Sequence, residues 1–140
     1  MAPDAANELT DKDATTPGNV FLSSIWMSGY GVATSGQNAP LFFVTGNSDY
    51  RGSKYDSKGR LAESLVKIAP DLTTVQDYFI PYNAVVLDVH DEDFGSGGVM
   101  VLPDGGGPTP RVAVAAGKDG NMFLVNRDHL GGYLPPPRRR

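Results

Sequence analysis

The 140 residues carry 12 Lys and Arg against 16 Asp and Glu, for a formal net charge of -4, and 40% of them are hydrophobic. That balance suits one globular domain with a core, and it offers no general attraction to nucleic acid or to an anionic membrane, both of which demand clustered cations. The chain has no cysteine, which removes disulfides, cysteine-ligated zinc and a thiol nucleophile together, and no run approaches the ~18 apolar residues of a membrane span.

In chain order, residues 1–19 form a polar arm rich in Ala, Thr and Pro, expected to be loop-like or disordered. The arm has neither a basic n-region nor an apolar h-region, so no secretory signal peptide is visible. Short β-branched or aromatic runs follow: "YGVAT", "LFFVTG", "SLVKIA", "TVQDYFI", "GGVMVL", "RVAVAAG" and "NMFLVN". Seventeen Gly and eleven Pro fall between them as punctuation, the pattern of short strands closed by turns. "GRLAESLVKIA" has some helical spacing, but Gly59 before it and Pro70 after it leave little room, and it is read as a strand. The fold class expected is all-β. Residues 134–140, three prolines and three arginines after "YL" begins, read as a solvated tail.

The strands repeat. "LFFVTG…SLVKIAPDLTT" and "RVAVAAG…FLVNRDHLGG" share one order: an apolar strand closing on Gly, a polar turn, a second apolar strand, Asp, then a small pair. Gly46 answers Gly117, while Ile68, Asp71 and Thr74 answer Val125, Asp128 and Gly131. Ser28-Gly29 and Ser96-Gly97 each open a unit. The first unit carries an insertion from Ser48 to about Ala62, where the second has the tight turn Lys118-Asp119-Gly120, with Gly suited to positive φ. Two similar β-units point to a repeat architecture, and radial stacking of small antiparallel sheets into a propeller is one that protects its edges.

"APDLTTVQDYF" resembles the tryptophan-docking motif of the pyrroloquinoline-quinone (PQQ) type propeller repeat, A-x-D-x-x-T-G-x-x-x-W. Ala69, Asp71 and Thr74 match it; Val75 stands in place of Gly and Phe79 in place of Trp. The second unit matches less fully: Asp128 and Gly132 fit, while Asn126, Gly131 and Pro136 occupy the Ala, Thr and Trp positions. "IWMSG", "DEDFGSGG" and "GKDGNMFLVNRDHLGG" add to the likeness, which covers roughly Trp26 to Gly132. The resemblance implies two four-stranded blades, about 26–82 and 94–133 within a propeller region of 20–133, docked through Phe79 and the turns of the motif.

Propellers usually need four to eight blades. One blade and three strands of a second are visible, with "YLPPP" where the last strand belongs, and Pro cannot donate within a ladder. The expectation is an incomplete ring: a fragment or truncated product, or a half-ring that pairs with the remaining blades or a second copy. Its uncovered face and edge imply association or aggregation.

Catalytic candidates are few. In PQQ-dependent dehydrogenases the resemblance implies a quinone near the propeller axis, a calcium ion and an Asp base. The best acidic cluster here is "DVHDEDFG", read as a loop entering the second unit. Asp91 and Asp93 are weak candidates for calcium, lacking the third ligand of a calcium loop, and His90 can pair with Asp91 as an acid–base couple. His129 reads as a surface residue, and Trp26 either as packing between units or as a stacking platform. Tyr50, Arg51, Lys54, Tyr55 and Lys58 of the insertion mix aromatic and cationic character. "GSGG" and "GGG" lack the Lys-Ser/Thr of a phosphate loop, and Phe94 breaks the nucleophile-elbow pattern. No catalytic set emerges, and PQQ and calcium are expected only in a complete ring. The reading is a non-catalytic scaffold or interaction module; the alternative is part of a PQQ- and calcium-dependent alcohol or sugar dehydrogenase. The family resemblance implies a periplasmic or secreted protein, which this N-terminus does not support.

Overall fold

The four apolar runs of the first unit pair in chain order. In the computed structural model, which describes residues 24–47, 61–106 and 111–133, β1 (Ala33–Thr34), β2 (Leu41–Val44), β3 (Leu65–Ile68) and β4 (Val75–Ile80) form an antiparallel meander. The second unit supplies β5 (Val99–Val101), β6 (Val112–Ala116) and β7 (Met122–Asn126), a three-stranded antiparallel sheet. All seven lie inside the runs named from sequence, and most of the regular structure among the described residues is strand. The arm at 1–19, insertion residues 48–60 with their aromatic and cationic side chains, Pro136 and the tail at 134–140 lie outside the described residues.

Alternation along the strands decides which side chains meet. Val44, Leu65 and Phe79 stand in one cross-strand row of the first sheet; Val99, Ala115 and Phe123 form a row of the second. These rows share one core cluster with Phe42, Leu87, Phe94, Ala113 and Leu130. Ala113 and Ala115 leave room for the rings of Phe79, Phe94 and Phe123, whose centroids lie 5.5 to 6.4 Å apart in tilted and edge-on contacts. Each fully buried Leu, Val or Phe stabilises this interface by about 1.5–3 kcal/mol.

The passage between the sheets is clamped on both sides. After Asp93, a single 3-10 turn (Phe94–Ser96) runs between the ends of β2 and β6. A Cβ on Gly95 would sit 2.5 Å from the Gly46 nitrogen, and one on Gly97 would land on the Ala116 carbonyl oxygen. Only glycine lets the backbone approach this closely. Met27 N–H donates to the Gly95 carbonyl (2.9 Å) and Gly46 N–H to that of Ser24 (2.9 Å), which ties the entry segment to the same crossing.

Three features differ from the sequence expectation. A short helix, α1 (Ala84–His90), occupies what read as the approach to an acidic loop, burying Ala84, Leu87 and Asp88 and ending at Asp91 in the left-handed conformation. Its valines are poor helix formers, so the burial of Ala84 and Leu87 on one side overrides local propensity. Next, a last strand does form: β8 (Gly132–Tyr133) follows the second unit, yet it pairs in parallel with Phe79 and Ile80 of β4. The sheets therefore hold five and three strands, in the orders β1-β2-β3-β4-β8 and β5-β6-β7, rather than four each. Finally, the segment Leu61–Ser64 before β3 is not strand, and Glu63 within it adopts φ of 47°.

Candidate functional site

The two turns that carry the docking-type motif use their Asp residues differently. Between β3 and β4, Asp71 Oδ1 accepts from the Thr73 N–H (3.1 Å) and hydroxyl (2.8 Å), and Ala69 N–H donates to the Thr74 carbonyl (2.9 Å). The Thr73 hydroxyl and amide together hold the Asp71 carboxyl below its ordinary range. Phe79, four strand residues after Val75, places its ring between the sheets. In the second unit Asp128 instead receives a fork from Arg111, with Nε at 2.8 Å, which lowers the Asp128 pKa. Asn126 Oδ1 closes that turn on the Asp128 N–H (3.0 Å). Gly132 has φ of 67° and opens β8.

The acidic stretch behind α1 is split by the fold. Asp93 is buried and ion-paired with Lys118, whose ammonium lies 3.9 Å from Asp91 and also donates to the Asp91 carbonyl (3.1 Å). The hydrogen bond to Asp93 raises the Lys118 pKa above its ordinary value. An ammonium thus sits where Asp91 and Asp93 would have to hold calcium, and among the described residues no three His, Asp or Glu side chains converge for a metal. The residues do not fit that ion. Asp91 is exposed and accepts from Asn47 Nδ2 at 3.2 Å. His90 ends the helix in an exposed position, and His129 is exposed, 4.0 Å from Asp77. Trp26 is half-exposed with the Lys118 ammonium 5.0 Å from its ring centroid, so a cation lies over one face of that ring.

Behind the ion pair lies a residue that sequence reasoning missed. Glu63 is wholly buried, with left-handed backbone. Its Oε2 accepts the Phe94 N–H at 2.5 Å, linking the segment before β3 to the crossing, while Oε1 is buried without a hydrogen-bond partner. Burial pushes the Glu63 pKa up to about 8, opposed by the Phe94 bond and reinforced by the Asp93 charge. Glu63 therefore carries a proton at neutral pH. Strain, an orphaned polar atom and a displaced pKa together mark functional sites. Here the carboxyl is buried, and it holds its proton at the junction between the sheets. The available signal was an acid inside the apolar run "LAESLV".

Among the described residues, the far face of the second sheet carries a group of exposed apolar side chains. Met100, Val114 and Leu124 form one cross-strand row on it, and Met122 pairs with Ala116 beside them. Met100 is 58% exposed, Leu124 66% and Met122 67%, against 0% for Leu65 and Val44 of the first sheet. Both faces of β5–β7 are apolar, and among the described residues only one is covered.

Comparison with known protein families, with characterised proteins and with solved structures finds no match for this chain.

Proposed function

We propose that this chain is a non-catalytic scaffold or interaction module built from repeats of the quinoprotein-like β-propeller kind, with its two sheets as neighbouring blades. The outer face of β5–β7 carries the reading. A sheet apolar on both sides is made to lie between two layers, and a contiguous exposed patch of this kind marks an interaction surface. Its occupant in this reading is a further blade-like sheet, supplied by the remainder of a ring or by a second copy. The face-to-face packing of a four-strand meander on the next meander, with Phe79 between them, supports the same view.

Sedimentation velocity over a range of concentrations tests it. Wild type is expected to self-associate, and Leu124→Lys, which places a charge in the exposed row, to remain monomeric with its circular dichroism unchanged. A wild type that stays monomeric at every concentration, with the same binding of an apolar dye as Leu124→Lys, would overturn the reading.

A further inference from the structure

At the end of the sheets opposite the Glu63 junction, the strand termini line an open cavity of about 390 Å³. Its wall is drawn from both units: Ser35 follows β1, Val101 and Pro103 lie at the end of β5, Arg111 precedes β6, and Arg127 follows β7. The volume falls in the range of small-ligand pockets, about 300–1,000 Å³, and near its lower limit. It is too small for a dinucleotide and sufficient for a compact organic molecule.

Arg127 is the unusual member. Its side chain is only 5% exposed, where arginine is rarely buried unless fully paired. Its ion-pair partner is a single oxygen of Asp104, itself 59% exposed at the rim. The backbone holds Arg127 rigidly, with its N–H donating to the Arg111 carbonyl (2.8 Å) and its carbonyl accepting from Lys67 Nζ (3.0 Å). A guanidinium has five donors, and none of those left over on Arg127 is a buried orphan, so they remain accessible from the cavity it lines. Arg111 is already forked onto Asp128 and presents its remaining edge. Among the wall residues two are cations and one is a carboxylate, in a chain whose net charge is -4.

We propose that this cavity binds a small carboxylic acid. The planar carboxylate meets the planar fork of Arg127 with two parallel hydrogen bonds, and comparison with a tetrahedral anion tests whether the cavity selects it. Val101 and Pro103 receive a short apolar body, and the Ser35 hydroxyl is placed to bond a substituent. Asp104 acts as a gate that the ligand carboxylate displaces from Arg127. The inference does not depend on the propeller reading, because every wall residue used belongs to the described chain.

Sodium benzoate is the probe, with benzamide as its neutral isostere, inorganic phosphate as the tetrahedral anion and sodium chloride at matched ionic strength. Nitrogen-15 NMR of the full chain follows the Arg127 Nε–H and the Ser35 and Leu102 amides. Benzoate is expected to give saturable shifts at these groups, with benzamide and chloride giving none and phosphate binding at least about tenfold more weakly. Arg127→Lys is expected to weaken benzoate about tenfold. Asp104→Asn, which frees Arg127 without removing bulk, is expected to tighten it several-fold and keeps the test valid if Arg127→Lys fails to fold. Shifts that grow linearly and match chloride, equal binding of benzamide, tighter binding of phosphate, or weaker binding by Asp104→Asn would each overturn the proposal.

Discussion

The two sheets are built from similar strands and live in different surroundings. Leu65 opens β3 and Leu124 is the middle residue of β7, both in apolar strands, yet one is wholly buried and the other 66% exposed. The first sheet is covered on one side by the second sheet, and on its other side Ile80 packs with Ala62 and Ala84, with Tyr133 of β8 beside it. Among the described residues, the second sheet has cover on one side only. What separates them is what the chain does between and after the units: β8 bypasses its own unit to pair with β4, while α1 adds Leu87 to the core between the sheets and Ala84 to the cluster around Ile80. An apolar pattern thus states how much surface a strand is able to bury, while the surrounding elements decide how much it does bury.

The largest expected effect lies at the crossing on which both sheets depend. Gly97→Ala places a methyl on the Ala116 carbonyl oxygen with backbone on both sides, and the chain is expected not to fold cooperatively, or to lose more than about 3 kcal/mol in urea titration. A variant within about 1 kcal/mol of wild type would mean that the two sheets are not held at this distance.

Next in size is the alkaline sensitivity of the junction. The folded pKa of Glu63 is about 8 against an ordinary 4.5, so the native state binds the extra proton between those values and stability falls as pH rises through the window. Below 4.5 the contribution is fully present; above 8 it is lost. At about 1.4 kcal/mol per unit the upper bound is roughly 4–5 kcal/mol. Glu63→Gln keeps an acceptor for the Phe94 N–H and is expected to flatten this slope. Parallel pH profiles for the two proteins, measured by urea midpoint from pH 5 to 9, would remove Glu63 from the account.

The comparison of the sheets is sharpest in a matched pair of truncations. Leu65→Ala is expected to cost about 2–5 kcal/mol because it opens a cavity in the shared core, whereas Leu124→Ala is expected to change monomer stability by no more than about 0.5 kcal/mol. Chemical denaturation at a concentration below any association reads both. Equal losses would show that the outer face of the second sheet is covered in solution.

Much of the strand content was legible because its causes are local. β-branched and aromatic residues between Gly, Pro and Asp specify a strand within a few residues, and all seven such runs became strands. The turn at Lys118-Asp119-Gly120 was equally readable, since Gly120 takes the positive φ of 75° that the tight turn requires. The helix was not, because "AVVLDVH" has the composition of a strand and only its seat against the core makes it helical. Glu63 was visible as a letter and invisible as a site: nothing within its neighbours states that the Phe94 amide, 31 positions later, will meet it in a dry junction.

By itself, then, the amino-acid order determined an acidic, cysteine-free, strand-rich chain with two similar units and a recurrent Gly–turn–Asp grammar. Only the tertiary structure decided that β8 joins the other unit's sheet, that Lys118 takes the place between Asp91 and Asp93, and that Arg127 is buried at the mouth of a cavity. The physical reason is range. Backbone preference and hydrophobic alternation act over a few residues, whereas pairing across sheets and the burial of charge depend on which distant segments arrive at the same place.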